Sequence, residues 1–104
     1  MKTKKNLTRR EILAVLHKNQ SMLNKYKVKR IGLFGSYALG KQRKKSDIDF
    51  IVEFEEPSFD NFMDIIDYLE KLFGRKVDIL TPEGVDSIRI KSVADSIRRS
   101  IIYV

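Results

Sequence analysis

The amino-acid sequence predicts an α/β fold in which helices flank a small sheet. Two kinds of segment alternate along its 104 residues. Some place apolar residues at every third or fourth position, as amphipathic helices do, and shorter runs are rich in Val, Ile, Leu and Phe, as strands are. The predicted order is helix, strand, short helix, strand, helix, strand, helix, which is typical of α/β domains. The length predicts a single domain over residues 1–104.

The first helix is predicted over about Arg9–Tyr26. Thr8 and Glu11 match the capping box, in which the Thr side chain accepts from the third helical amide and the Glu side chain reaches back. An apolar stripe at helical spacing follows, formed by Ile12, Leu16 and Leu23. His17, the only histidine, is expected on the surface of this helix.

Two strands are predicted in the first half of the chain. Val28–Phe34 is an apolar run that ends at Gly35, where a short helix begins. Asp47–Phe54 alternates, and successive side chains of a strand point to opposite faces. One face is therefore predicted to carry Ile48, Phe50, Val52 and Phe54. The other is predicted to carry Asp47, Asp49, Ile51 and Glu53.

A second long helix is predicted after Pro57, with Ser58 as its N-cap and Gly74 just past its end. Its apolar positions recur at helical spacing: Phe59, Phe62, Met63, Ile66, Leu69 and Phe73. Phe59, Phe62 and Phe73 are predicted to belong to the core.

A short strand is predicted at Lys76–Leu80, ended by Thr81 and Pro82. The C-terminal segment again has apolar residues at helical spacing: Ile90, Val93, Ile97 and Ile101. Its last four residues, Ile101–Val104, fit a final strand as well.

Charge is unevenly distributed along the chain, whose formal net charge is +7. Residues 1–45 carry 14 Lys and Arg against one acid, and residues 46–86 carry 12 Asp and Glu against three Lys and Arg. A basic protein suggests nucleic-acid binding, but a solvated basic surface explains the same composition. Clustered acids after clustered bases also fit a site where cationic loops and metal-holding carboxylates meet a polyphosphate. Composition alone does not decide among these three.

Several classes of protein are excluded by composition. With no cysteine, the chain has no disulfide framework, Cys-ligated zinc site or thiol nucleophile. A single histidine argues against a Ser-His-Asp site, and no apolar run is long enough to span a membrane. The charged N-terminus, Met1–Asn6, lacks the apolar stretch of a signal peptide. A cytoplasmic protein is therefore expected.

A phosphate-binding loop is predicted at Gly35 and Ser36. They stand where an apolar strand turns into a short helix, so free backbone amides and a hydroxyl face outward there. The segment Gly35–Lys41 also resembles a Walker A loop, but Gln42 follows where that motif has the Ser or Thr that holds magnesium. A Walker A loop is therefore not favoured.

A cluster of carboxylates is predicted beside this loop. Asp47 and Asp49 are two residues apart in a strand, so both point to one face, where they repel each other unless a cation lies between them. Carboxylate oxygens with positions left for water and phosphate suit Mg²⁺. A third acid, Asp78, is flanked by apolar residues, and a carboxylate inside such a strand is costly unless it is paired or binds metal.

Together these residues resemble the signature of the DNA polymerase beta-like nucleotidyltransferase superfamily, which is Gly-Ser, ten residues, then Asp-x-Asp. The short length, Gly40 and Ser46 resemble its minimal nucleotidyltransferase branch, whose members are antitoxins paired with HEPN-domain toxins. The resemblance covers about residues 30–80 and is weaker from Pro82 onward. It implies the fold of that superfamily, a small mixed sheet flanked by helices.

The resemblance also implies roles and a reaction. Gly35 and Ser36 would contact the phosphates of a nucleoside triphosphate, and Asp47 and Asp49 would hold Mg²⁺. Asp78 would complete a two-metal site or act as general base for the attacking hydroxyl. The implied reaction is transfer of NMP, foremost AMP from ATP, to a tyrosine hydroxyl of the HEPN-type toxin.

A non-catalytic interpretation is left open beside the enzyme. In it, a basic module neutralises a partner protein or RNA by contact alone, although direct nucleic-acid binding is not favoured. The loop cations Lys41, Arg43, Lys44 and Lys45 either neutralise phosphate, dock a partner or are simply solvated. Glu53 is a candidate outer residue of the site, and Tyr37 is expected to pack the short helix.

Overall fold

A computed structural model describes residues 7–104, so the charged N-terminal segment lies outside the described residues. Four strands form one mixed sheet in the order β3-β2-β1-β4. The strands are β1 Val28–Phe34, β2 Ile48–Phe54, β3 Val77–Leu80 and β4 Ile102–Tyr103. The helices are α1 Arg9–Lys18, α2 Gln20–Lys25, α3 Gly35–Leu39, α4 Phe59–Phe73, α5 Pro82–Asp86 and α6 Lys91–Ser100. The predicted fold class is confirmed.

The predicted first helix is wrong in its length, because it is interrupted at Asn19. The capping box of Thr8 and Glu11 is present as predicted. At Asn19 the backbone leaves helical geometry, with ψ at +24°, and the side-chain amide donates to the Val15 carbonyl at 2.8 Å. Asn side chains compete in this way for backbone groups, and the chain continues as the separate helix α2.

The register of the sheet brings acidic residues of two strands together. Strand β2 lies between β1, to which it is antiparallel, and β3, to which it is parallel. Phe34 at the end of β1 lies opposite Asp49, and Asp49 lies opposite Asp78. Residues directly opposite each other point to the same face of a sheet, so both carboxylates belong to one face and one end of it.

Both faces of the sheet carry a core. The apolar face of β2 is buried as predicted, among Ile12 and Leu16 of α1 and Ile65 and Leu69 of α4. The acidic face is covered as well, since Ile51 packs with Phe34, Val85 and Ala94 in a second, smaller core. Helices α5 and α6 provide that cover, and they leave the end with Asp49 and Asp78 free.

The C-terminal half contains a helix that the sequence analysis did not predict. Thr81 caps α5, because its hydroxyl accepts from the Gly84 amide at 3.0 Å, and Pro82 occupies the first turn. Helix α6 begins after Ile90 and buries Ala94, while Ile90 and Val93 are exposed. Of the two interpretations of the last residues, the final strand is confirmed by β4.

The predicted core position of Phe59 is wrong, because its exposed fraction is 77%. The N-cap Ser58 and the left-handed Gly74 bound α4 as predicted. The buried stripe of α4, however, begins only at Ile65 and continues through Leu69 and Phe73, and Phe59 precedes it. Phe62 is partly buried.

As for membranes, none of the helices in residues 7–104 combines the length and the apolar character that a membrane span requires.

Two truncations in α4 test this placement. Leu69→Ala removes a fully buried side chain and is expected to lower the free energy of unfolding by about 2–5 kcal/mol. Phe59→Ala removes a larger but exposed side chain and is expected to change it by less than about 0.5 kcal/mol. Urea unfolding followed by circular dichroism measures both, and a loss for Phe59→Ala comparable to that for Leu69→Ala would contradict the assignment.

Candidate active site

The turn from β1 into α3 requires glycine. Gly35 has φ of +73°, in the left-handed region that side chains disfavour. The preceding Phe34 is extended and offers no side-chain hydrogen bond to cap α3. Gly35 and Ser36 are half-buried at this turn, and the short helix predicted to follow them is present.

The carboxylate of Asp49 lies directly against Gly35. A Cβ atom placed on Gly35 would lie 2.1 Å from Asp49 Oδ2 and 2.9 Å from its Cγ. Such distances are shorter than any van der Waals contact, so a side chain at Gly35 would displace this carboxylate. The turn at Gly35 and the carboxylate of Asp49 are therefore in contact.

Asp49 is half-buried and sits among other acids. Burial raises its pKa from 3.8 to about 6, with further contributions from the charges of Asp78 and Asp47 and from a side-chain hydrogen bond with Asp78. Desolvation and like charges both disfavour ionisation. The Asp49 carboxyl, which lies opposite Asp78 in the sheet, is therefore protonated at a higher pH than an ordinary Asp.

Asp78 and Asp47 are exposed, in contrast to Asp49. The expectation that Asp78 lies inside a core strand is wrong, because β3 is an edge strand and Asp78 points out at its open end. The predicted strand included Asp47, but β2 begins only at Ile48, so Asp47 stands one residue before it. Both side chains are accessible to solvent, and both lie near enough to raise the pKa of Asp49.

The carboxylate oxygens of Asp47, Asp49 and Asp78 are chemically suited to bind a hard divalent cation. Three carboxylates that repel one another provide oxygen ligands of the kind Mg²⁺ prefers. In residues 7–104, however, no three Asp, Glu, His or Cys side chains are already grouped closely enough to hold a metal ion. Binding would therefore require Asp47 or Asp78, the exposed members, to change side-chain conformation.

A hydrogen bond that the sequence analysis missed connects the turn to the third strand. Tyr37 of α3 is 1% exposed, and its hydroxyl accepts from Arg75 Nη1. Arg75 stands two residues before β3. The packing role expected for Tyr37 is confirmed, and the bond fixes α3 relative to the strand of Asp78. No local pattern in the sequence indicates the pair, because 38 residues separate its members.

Glu53 lies away from the end of the sheet that carries Asp49 and Asp78. Its carboxylate is 3.4 Å from Arg30 Nε and 3.9 Å from Lys29 Nζ. The pairing places Glu53 toward the far end of β2, four residues beyond Asp49. The interpretation of Glu53 as an outer residue of the site is therefore wrong, and two β1 cations explain its position.

Ser46 shapes the basic loop between α3 and β2. Its hydroxyl accepts from the Arg43 amide at 2.8 Å, and its own amide donates to the Arg43 carbonyl at 3.0 Å. This turn ends immediately before Asp47. The four loop cations are all exposed.

The chain matches the family model described as "Nucleotidyltransferase domain" over residues 17–104. A Methanocaldococcus jannaschii protein named as a candidate protein adenylyltransferase is 47% identical over 98 residues, covering 90% of this chain and 95% of the relative. The protein adenylyltransferase MntA of Thermococcus cleftensis is 37% identical over 101 residues, covering 94% and 97%. The match therefore spans nearly the full length of these relatives.

Solved structures share the fold. A candidate minimal nucleotidyltransferase superposes with a TM-score of 0.73 at 25% identity, covering 95% of this chain and 98% of the other. A toxin-antitoxin crystal structure with AMP-PNP gives a TM-score of 0.60 at 22% identity, covering 93% of this chain and 72% of that one. At the lower identity the likeness concerns the fold.

Replacing Asp49 with Asn is expected to stabilise the metal-free protein at neutral pH. The pKa of Asp49 is raised to about 6, so its ionised form costs the folded state free energy above that pH. Below 3.8 the carboxyl is protonated in both the folded and the unfolded state, and the cost disappears. The melting temperature of Asp49→Asn should therefore exceed that of the wild type at about pH 8, and the gain should vanish toward about pH 4.

The measurement is a thermal melt in chelator across this pH range. Asp64→Asn, in the exposed part of α4, is the matched control and should show no such gain. A gain for Asp49→Asn that is the same at every pH would contradict the assigned environment.

Alanine at two glycines separates backbone strain from the contact with Asp49. Gly35 and Gly40 have nearly equal φ, +73° and +70°, but a Cβ on Gly40 meets nothing within 4 Å. Gly40→Ala is expected to cost about 1–2 kcal/mol of unfolding free energy from strain alone, and Gly35→Ala clearly more. Urea unfolding should show the extra loss shrinking when Asp49→Ala is combined with Gly35→Ala. An equal loss at both glycines would refute the contact.

Proposed function

This chain belongs to the nucleotidyltransferase domain family, in its minimal branch, and we propose that it transfers AMP from ATP to a tyrosine hydroxyl of a HEPN-type toxin. It is an enzyme, a protein adenylyltransferase. Two relatives that match it over at least 90% of its length carry that name. In this proposal it acts in the cytoplasm as the antitoxin of a toxin-antitoxin pair.

The contact between Gly35 and Asp49 carries the proposal. A nucleotidyltransferase must bring a triphosphate and acidic groups to one point, and here a carboxylate lies against the turn that is predicted to bind phosphate. Asp78 lies opposite Asp49 in the sheet. Phosphoryl transfer needs mostly positioning and charge stabilisation, and this end of the sheet offers the elements of both.

Phosphate recognition is assigned to Gly35 and Ser36. The backbone amides at the start of α3 and the Ser36 hydroxyl would donate to phosphate oxygens. The absence of a Cβ at Gly35 leaves room for the Asp49 carboxylate beside this backbone.

Metal binding is assigned to Asp47, Asp49 and Asp78. Mg²⁺ bound by them would neutralise triphosphate charge and lower the pKa of the attacking hydroxyl. Below about pH 6, metal binding would have to displace the proton of Asp49, because carboxylates ligate a metal in their ionised form.

The transfer forms one bond and breaks one. The tyrosine oxygen of the acceptor attacks the α-phosphorus of ATP, and the bond from that phosphorus to the oxygen that bridges it to the β-phosphate breaks, releasing pyrophosphate. The tyrosine proton must leave as the new bond forms. Asp78 either accepts this proton or serves as a second metal ligand. Its exposed position is compatible with both roles.

A toxin partner is supported by the structural relatives. One protein that shares this fold was crystallised as part of a toxin-antitoxin complex with AMP-PNP, and further complexes of this kind are named MntA-HpeT. The name MntA is also that of the Thermococcus cleftensis relative. A HEPN-type toxin and a tyrosine acceptor follow from the sequence resemblance.

The competing function is neutralisation of the partner by contact alone. The exposed cations of the loop at residues 41–45 favour it, because they form a ready surface for an anionic partner. This function would not depend on the carboxylates at the end of the sheet.

The two functions differ in what Asp47→Asn combined with Asp49→Asn should do. The variant keeps the side-chain shapes and removes two negative charges, so transfer is expected to fall by orders of magnitude while folding and association with the partner persist. Mass spectrometry of the neighbouring gene's product, incubated with this protein and each NTP, should show one added AMP with the wild type. Co-expression should relieve the toxicity of the partner with the wild type and fail to do so with the Asp47, Asp49 variant.

Asp60→Asn combined with Asp64→Asn is the matched control. It removes the same charge from the exposed surface of α4 and should leave transfer and relief unchanged. If relief of toxicity persists in the Asp47, Asp49 variant, neutralisation occurs by contact and the enzymatic account of the biology fails.

A further inference from the structure

Six cations form one surface beside the candidate active site. We call it the basic face, and its members are Arg9, Arg10, Lys41, Arg43, Lys44 and Lys45. All six side chains are exposed. Two of them belong to the start of α1 and four to the loop between α3 and β2, so the face is a product of the fold.

Two long-range hydrogen bonds bring these segments together. Arg9 Nη1 donates to the Ala38 carbonyl of α3 at 2.7 Å, and Gln42 Nε2 donates to the Leu7 carbonyl before α1 at 2.9 Å. Between the two segments lies a cleft of about 540 Å³, lined by residues that include Arg9, Arg10 and Gly40. Arg9 and Arg10 line this cleft, and the segment that carries the four loop cations begins at its edge, beside Gly40 and Gln42.

Carboxylates do not neutralise this face. Ion pairs in residues 7–104 join Lys29, Arg30, Lys71 and Arg98 to acids, and none of these four belongs to the basic face. Neither Arg10 nor any of the four loop cations pairs with an acid of the described chain. These five neighbouring cations repel one another, and an external polyanion would relieve that repulsion.

The chemistry of the face fits nucleic acid better than protein. Protein interfaces are organised around apolar or aromatic side chains, and most of the large apolar residues exposed in the described chain lie on other elements. Phe59 and Met63 belong to α4, and Ile90 and Val93 flank the start of α6. Leu39 is the one that adjoins the basic face. Interfaces with nucleic acid are instead polar and strongly positive.

The face also fits a duplex better than a single strand. Single strands are bound by stacking of their bases on aromatic side chains, and the exposed aromatic residues of the described chain, Phe59 and Tyr103, belong to α4 and β4. Cations without aromatic neighbours make contacts to phosphate and read no base.

We propose that the basic face binds the phosphate backbone of a nucleic-acid duplex, without sequence preference. This goes beyond adenylyl transfer, since neither the carboxylates nor a nucleotide take part in it. The loop part of the face runs from Lys41, which follows α3, to Lys45, two residues before Asp47. A duplex bound there would hold the enzyme close to a nucleic-acid-bound acceptor with its candidate active site alongside.

Charge reversal on two surfaces tests the proposal. Fluorescence anisotropy with short labelled RNA and DNA duplexes of one sequence gives the affinity between about 50 and 200 mM salt. Lys41→Glu combined with Lys44→Glu should lower the affinity about tenfold or more. It should also reduce the slope of log affinity against log salt by about two, because each lysine that binds a phosphate contributes about one to that slope. Whichever duplex binds with the higher affinity, RNA or DNA, identifies the kind of nucleic acid that supplies the phosphate backbone.

Lys18→Glu combined with Lys25→Glu is the matched control, because it makes the same change in net charge at exposed positions of α1 and α2. It should bind nearly as the wild type does, and Asp47→Asn with Asp49→Asn should bind fully even if transfer is absent. The proposal is overturned if both lysine pairs weaken binding equally, if no duplex binds at about 150 mM salt, or if a polyglutamate peptide or an unpaired strand binds more tightly than the duplexes do.

Discussion

The contact between the Asp49 carboxylate and the Gly35 backbone is the constraint on which the rest of this end of the molecule depends. It exists because β1 pairs with β2 in a register that sets Phe34 opposite Asp49, and because the chain turns at φ of +73° immediately afterwards. A shift of one residue in this register would send Asp49 to the apolar face. The two hydrophobic cores therefore fix the position of the acid as well as the stability of the sheet.

The same constraint has an energetic cost that the fold must offset. A half-buried carboxylate beside two others, with its pKa raised to about 6, opposes folding at neutral pH. Packing on both faces of β2 supplies the compensation, since Ile48, Phe50 and Val52 are fully buried on one side and Ile51 nearly so on the other. Such local costs concentrate where a protein binds charged ligands, because a ligand that supplies positive charge removes the cost.

Local patterns predicted much of this structure, and the failures follow from non-local contacts. The ends of β1 and the alternation along β2 depend on neighbouring residues, so they were predictable. The proximity of Asp78 to Asp49 depends on parallel pairing across 29 positions, which the sequence indicates only through family resemblance. Helical spacing likewise does not show at which residue α4 begins to pack on the sheet. For this reason Phe59 was wrongly predicted to lie in the core. The roles of the site residues in catalysis stay predictions.

The open end of the sheet explains why a partner protein suits this chemistry. Asp47 and Asp78 are exposed, so water has free access to the place where transfer is proposed. Electrostatic stabilisation of a phosphoryl group is much stronger where water is excluded, and helices α5 and α6 cover the sheet only as far as Phe34 and Ile51. A macromolecular acceptor that covers this end would exclude water while it presents its hydroxyl. In that arrangement the specificity of transfer would depend on the fit between the two proteins.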